Sequence, residues 1–289
     1  MADKHEIFLD IVAYMDYKNV DEIKKVYSEF INKYNNNFKI GGIKIFLDGS
    51  PQANTAWLRE AYINEPEYYG YRIMKDEDVE EILENSKESD LQILAHCNGD
   101  KAAEQYINAI KKVSGLKRPV MIHAQLLGLD QLPDLKKYNI IPSFFISHIY
   151  YFGDIHIKNL GMKRAEHISP AGSSLKQNIL FTFHQDTPVI EPDMFETIWC
   201  AVNRTTRAGK VLGEDEKISV LEAIKAVTIN AAYQYGEEEI KGSLKAGKKA
   251  DLIIVDKNPL KIAKDDLRNI KILQTIKNGK VIWKNSLGY

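Results

Sequence analysis

Four side chains able to bind a divalent metal recur at the ends of short apolar runs. They are Lys44 in Gly42-Ile43-Lys44-Ile45-Phe46-Leu47-Asp48-Gly49-Ser50, His96 in Leu94-Ala95-His96, His123 in Met121-Ile122-His123-Ala124-Gln125, and Asp186 in Phe183-His184-Gln185-Asp186. Imidazole nitrogens with a carboxylate make a borderline-hard donor set, suited to zinc, with iron or manganese as alternatives. Taken singly, each residue has an ordinary explanation. A histidine after an apolar strand is commonly a satisfied core or loop residue. Asp186, ahead of Thr187-Pro188, suits a turn or cap. Lys44 lies between Ile43 and Ile45, where an ammonium is costly to bury unless it is paired, neutralised or led to solvent. The recurrence of such residues at successive strand ends is what points to a metal site.

Bringing them together requires parallel strands, and the apolar pattern supplies candidates. Strand-like runs cover 7–15, 40–47, 91–96, 119–124, 140–146 and 179–184, and helix-period segments include 20–34, 101–113 and 131–138. A further helix is expected from Asp76, where Asp76-Glu77-Asp78 places acidic groups in the first turn. Short, nearly continuous apolar runs alternating with helices indicate βαβ units with buried parallel strands. Six strands suit either a doubly wound sheet or a (β/α)8 barrel short of two. No strand is followed by Gly-x-Gly-x-x-Gly, and the polar residues follow several different strands, as on the C-terminal face of a barrel. The expected fold is α/β, an incomplete TIM (β/α)8 barrel lacking about two N-terminal strands.

The tail has another texture. Residues 218–235 read as one long amphipathic helix closed by Gly236. After it, apolar runs at 250–256, 273–277 and 280–283 surround Asn278-Gly279, a strong hairpin signal. The expected division is a partial hydrolase barrel over 1–240 and the C-terminal part of a small β-sandwich over 241–289.

Composition narrows the partners. A hydrophobic share of 44%, a charged share of 27% and a net charge of −1 describe an ordinary globular chain. That balance favours neither a nucleic acid nor a membrane surface, and a small-molecule substrate fits better. Cys97 and Cys200 stand far apart without a Cys-x-x-Cys pattern, which argues against a disulfide framework and for a reducing cytoplasm. No signal peptide is evident, and no apolar stretch approaches the roughly 20 residues of a membrane span.

At these residues the sequence resembles the amidohydrolase superfamily, most closely its family 3, which includes N-substituted formamide deformylase and proteins called exoenzyme regulatory protein. The matching blocks are GIKIFLDGS (42–50), LAHCNGDKAAE (94–104), VMIHAQLL (120–127), FTFHQDTPV (181–189) and GSLKAGKKADLIIVDKNP (242–259). The resemblance implies that Lys44 is a strand-four lysine carboxylated to a metal-bridging carbamate, which would also neutralise its buried ammonium. It implies that His96 and His123 are metal ligands from strands five and six. Asp186 would be the strand-eight aspartate that touches the metal, takes a proton from water as general base and delivers it to a leaving nitrogen. One or two divalent ions, expected to be zinc, and an amide-type, non-peptide C–N bond in the substrate follow.

Members of this family also carry a His-x-His pair after the first barrel strand. This sequence has none there: His5 is followed by no histidine before His96. The chain is therefore expected to be a C-terminal fragment with an impaired site and an unpaired sandwich edge that invites homo-oligomers. A non-catalytic or regulatory protein keeping the fold is the alternative. The aromatic insert from Ser147 to about Gln177 lacks periodicity and is expected to wall the substrate site. Within it, His148 is read either as a hydrogen-bond donor to the substrate carbonyl or as an ordinary loop histidine. His184 is expected to pack beside Asp186, Asn98-Gly99-Asp100 to form a turn and helix cap, and Trp199 and Cys200 to be core.

Overall fold

The structure, a computed structural model, describes residues 7–285; His5 and residues 286–289 of the expected tail unit lie outside them. Six strands form one parallel sheet in chain order: β1 (Ile11–Asp16), β2 (Phe38–Phe46), β3 (Gln92–Cys97), β4 (Val120–His123), β5 (Ile141–Phe144) and β6 (Thr182–Phe183). β1 and β6 are its edges, so the barrel is open. Each strand pairs with its sequence neighbour, as right-handed βα units winding in one direction require.

The helices along this chain are α1 (Val20–Val26), α2 (Asp76–Glu88), α3 (Asp100–Val113), α4 (Leu132–Lys137), α5 (His148–Leu160), α6 (Met162–Ala165), α7 (Ala171–Lys176), α8 (Met194–Asn203), α9 (Val220–Ala226) and α10 (Ile229–Gln234). Period-2 alternation divides the strand side chains between two cores. Ile43, Ile45, Ile93, Ala95, Cys97, Met121, Phe144 and Phe183 join the large core. Leu94, Val120, Ile122 and Ile141 form a smaller inner cluster against Tyr14, Leu180 and Tyr233. Strand β2 can lie this close to β3 because Gly42 has no Cβ, which would fall 1.9 Å from the Gln92 carbonyl.

Three expectations are corrected. The first helix covers less than half of the expected 20–34 span, ending at Val26. The single helix over 218–235 is two, broken at Val227-Thr228, where Thr228 leaves helical geometry at φ −128°, ψ −93°. The insert after β5 is not irregular but contains α5, α6 and α7. Its periodicity is weak because α5 buries His148, Ile149, Gly153, His156, Asn159 and Leu160, polar and apolar alike.

At the tail, β7 (Leu252–Val255), β8 (Ile272–Lys277) and β9 (Lys280–Lys284) form a separate antiparallel sheet. Asn278 and Gly279 both have positive φ, 49° and 75°, as a two-residue type I′ turn demands. Charge ties this sheet to the N-terminal ends of the parallel strands. Asp10 accepts from Lys241 at 2.8 Å and Lys277 at 2.7 Å, and Glu237 pairs with Lys241 at 2.7 Å and Lys39 of β2 at 2.6 Å. Cys97 and Cys200 are both free and buried. Among the described residues, no helix is long and apolar enough to cross a membrane.

Candidate functional site

Alternation puts Lys44 and His96 on the inner face, two residues beyond Gly42 and Leu94 and near the C-terminal ends of β2 and β3. Ser143 of β5 and His184, just past β6, share that face by the same count. His123 does not: by register it pairs with Cys97, which belongs to the outer core. Its backbone is left-handed instead, φ 72°, followed by Ala124 at 46°. A histidine held there costs on the order of 1–3 kcal/mol, a strain that concentrates at functional sites. That conformation brings its ring against His96 at 4.5 Å between centroids and His184 at 4.9 Å.

The result is a string of imidazoles. His96 Nε2 meets the Gly49 carbonyl at 3.0 Å, and His96 Nδ1 meets His123 Nε2 at 3.0 Å. His123 Nδ1 meets His184 Nε2 at 3.1 Å, and His184 Nδ1 meets Ser143 Oγ at 3.1 Å. Burial, then neighbouring imidazoles and Lys44, holds His123 well below the usual histidine range; His184 falls to about 3 by burial and the charge of Lys44. His96 is lowered by burial against the pull of its bond to Gly49. These rings are therefore neutral, the protonation state that binds metals.

Lys44 is also lowered by burial, opposed by the charge of Asp186. Asp186 is exposed, three residues past β6, with a left-handed backbone at φ 52°. The structure thus brings His96 and His123 into contact and sets Lys44 within electrostatic range of both and Asp186 within range of His96. Among the described residues, no three His, Cys, Asp or Glu side chains are grouped to hold one metal ion.

The donor set nonetheless fits a divalent ion. Two nitrogens on one tetrahedral zinc would stand about 3.3 Å apart, close to the 3.0 Å between His96 Nδ1 and His123 Nε2. The outer bonds allow both facing nitrogens to be lone pairs. His96 would carry its proton on Nε2 toward the Gly49 carbonyl, which the Asn98 amide, itself 3.0 Å from that nitrogen, also bonds, and His123 would carry its proton on Nδ1 toward His184. Such outer partners orient ligating histidines.

Asp48 is a residue the sequence reading passed over. It is 1% exposed and accepts the backbone N–H of Trp57 at 2.9 Å, Asn98 at 2.9 Å and Gly99 at 2.7 Å. Burial pushes its carboxyl up to about 7 against those three amides. Gly99 suits this crowding, since a Cβ would fall 1.9 Å from the Trp57 carbonyl. Asn98 donates to the Gly49 carbonyl at 2.8 Å, so the expected turn after β3 also fixes the residue that His96 meets. Ser143, His184 and His156 were missed as hydrogen-bonding partners; paired histidines near strand ends were the only signal available.

His148 opens α5 and is 3% exposed. Its ring packs on Phe145 at 4.3 Å, and Phe145 in turn approaches His184 at 5.4 Å. The helical insert therefore borders the imidazole string. Trp199 and Cys200 are buried in α8, as expected of core.

Comparison with known proteins bears on the family and the fold. The amidohydrolase family pattern matches residues 1–283. YtcJ of Bacillus subtilis (strain 168), designated an amidohydrolase, is 27% identical over 257 residues, covering 86% of this chain and 48% of YtcJ. The N-substituted formamide deformylase of Arthrobacter pascens is 34% identical over 116 residues, 39% of this chain and 21% of the deformylase. A metal-dependent hydrolase of Pyrococcus furiosus, itself uncharacterised, superposes with a TM-score of 0.80 at 26% identity, covering 90% of this chain and 53% of its own. The chain spans about half the length of YtcJ and of that hydrolase.

Proposed function

We propose that this chain, which belongs to the amidohydrolase family, carries the strand-four to strand-eight side of a metal-dependent hydrolase site acting on an amide-type, non-peptide C–N bond of a small molecule. The observation that carries the reading is the pair of neutral imidazoles, His96 and His123, with facing nitrogens 3.0 Å apart at the C-terminal ends of parallel strands. His96, His123, Lys44 and Asp186 would hold the ion. A divalent ion held there, zinc in this proposal, would supply polarisation of a carbonyl and acidification of water.

The chain's own residues divide the remaining work. Burial favours the uncharged amine of Lys44, the form whose nitrogen can bond to carbon dioxide and release one proton to solvent, giving a carbamate oxygen donor. Asp186, whose side chain is exposed, would take a proton from water on a carboxylate oxygen and return it to the leaving nitrogen. His148 donates a hydrogen bond to the substrate carbonyl. The substrate class draws support from the name of the deformylase relative, which specifies an N-substituted formamide.

The test is hydrolysis of a panel of N-acyl and N-formyl compounds by zinc-loaded wild type and Asp186→Asn. The variant should be slower by roughly 10²–10⁴-fold. Equal rates would remove Asp186 from its role, and a folded chain that takes up no zinc would remove the metal.

A further inference from the structure

His148 begins α5 and His156 follows two turns later, buried to 0% exposure. Their rings stack, centroids 5.5 Å apart and 14° between planes, and His148 Nδ1 meets His156 Nε2 at 3.3 Å. The other nitrogen of His156, Nδ1, is sealed from solvent with no hydrogen-bond partner. Both rings are neutral: burial lowers His156 to about 4 and His148 well below the usual histidine range. One proton therefore occupies the contact between them, and it can belong to either ring.

The unpartnered nitrogen decides between the two. If His148 donated from Nδ1, His156 would accept on Nε2 and carry its own proton on Nδ1, a buried N–H with nothing to bond. If His156 donates from Nε2, its Nδ1 is only an unused lone pair. Orphaned buried N–H groups are the rarer of the two defects. The rings of Phe145 and Phe152 pack against that of His148, at 4.3 and 4.8 Å between centroids.

We infer that His156 is a positioning residue: it donates to His148 Nδ1 and thereby holds His148 in the Nε2–H tautomer, a fixed donor at the border of the imidazole site. His148 Nε2 takes no partner among the described residues and is not among the side-chain atoms sealed from solvent. The inference deepens the proposed role of His148 toward the substrate carbonyl and rests on it. A wrong tautomer would present a lone pair to the carbonyl oxygen, repelling the group it should polarise.

The experiment is a long-range ¹H–¹⁵N correlation spectrum of the ¹⁵N-histidine-labelled chain at neutral pH, which reports which ring nitrogen is protonated. His148 and His156 signals are assigned by their loss in His148→Gln and His156→Phe. Both rings should be in the Nε2–H form, His148 by about tenfold or more over its alternative. In folded His156→Phe, that excess should fall toward the ratio of free histidine. The reverse arrangement, Nδ1–H on both rings, overturns the inference, as does an unchanged His148 ratio in the variant. Should His156→Phe fail to fold, the wild-type spectrum alone decides. A wild type that hydrolyses nothing in the panel breaks the functional reading and leaves the tautomer result standing; an Nδ1–H His148 in an active protein breaks only this inference.

Discussion

The two ends of the parallel sheet handle buried polar groups in opposite ways. At the N-terminal ends, Asp10, Glu237, Lys39, Lys241 and Lys277 are paired at 2.6–2.8 Å. Burial alone would raise the carboxyl of Asp10, yet the bonds from Lys241 and Lys277 outweigh it and hold the group down at about 2. Glu237 behaves alike, lowered by Lys241 and Lys39 despite burial. At the C-terminal ends, His96, His123 and His184 meet one another, the Gly49 carbonyl, the Asn98 amide and the Ser143 hydroxyl, while the Asp48 carboxylate stands off His96 at 3.7 Å, beyond hydrogen-bonding distance. There burial wins and the rings lose their protons. One end spends its polar groups on holding the tail to the barrel. The other keeps lone pairs available for chemistry.

The largest effect that separates the ends should be on metal binding. His123→Gln is expected to weaken zinc by about 10³-fold, roughly a quarter of the free energy of a four-ligand site, read by competition with a chromogenic chelator. Asp10→Asn should leave zinc affinity unchanged. If the two variants bound zinc equally, the functional division between the ends would be wrong.

Stability reverses the ranking. Asp10→Asn leaves Lys241 and Lys277 facing a neutral amide and should cost about 3 kcal/mol in urea unfolding at pH 7. The pH dependence carries the sign. The folded carboxyl titrates near about 2 and the unfolded one near 3.8, so its contribution is complete above about 4 and is lost as pH falls from there to about 2. Asp10→Asn should therefore be most deficient above pH 4 and converge with wild type in acid. A constant deficit down to pH 2 would point to packing instead of charge.

The acid response of the other end occupies a different window. His156 titrates near 6.5 unfolded and about 4 folded, so below 6.5 the unfolded chain binds more protons and stability falls until about pH 4. Each pH unit in that interval costs about 1.4 kcal/mol per such histidine. From pH 6.5 to 5, folded His156→Phe should lose about 2 kcal/mol less than wild type, measured by paired urea titrations. An identical loss would mean that His156 is charged in the folded chain.

How much of this was legible depends on range. The strands were readable because apolar runs such as 91–96 and 119–124 are local, and so was the inner placement of Lys44 and His96, which follows from alternation. The type I′ turn at Asn278-Gly279 was equally local. His123 was readable as a candidate but not as a neighbour of His96: alternation sends it to the wrong face, and only its left-handed backbone returns it. The links from His184 to His123 and Ser143 join residues 61 and 41 apart in sequence, which no local pattern encodes. Asp48 read as part of a loop because its three partners are backbone amides, invisible in residue types. Helix α5 escaped notice because a helix buried on several faces has no polar stripe to mark its period.

The smallest effect tests whether proximity alone matters at the paired end. Lys249 also approaches Asp10, but at 3.7 Å and with 36% of its side chain exposed. Lys241 and Lys277, at 2.8 and 2.7 Å and 16% and 10% exposed, already supply the hydrogen bonds that hold the carboxylate. A third, solvated ammonium adds only screened attraction, so Lys249→Met should change stability by less than about 0.5 kcal/mol. Its backbone bond to the Ile240 carbonyl, at 2.9 Å, survives the substitution. The same urea titration at low and at 0.5 M salt, about a 4 Å screening length, would sharpen the point. A loss above about 1 kcal/mol that vanished in salt would make the cluster a diffuse field, not two short bonds. In that case the contrast between the ends would rest on total charge, and the convergence of Asp10→Asn with wild type in acid would have to be explained by all three lysines together.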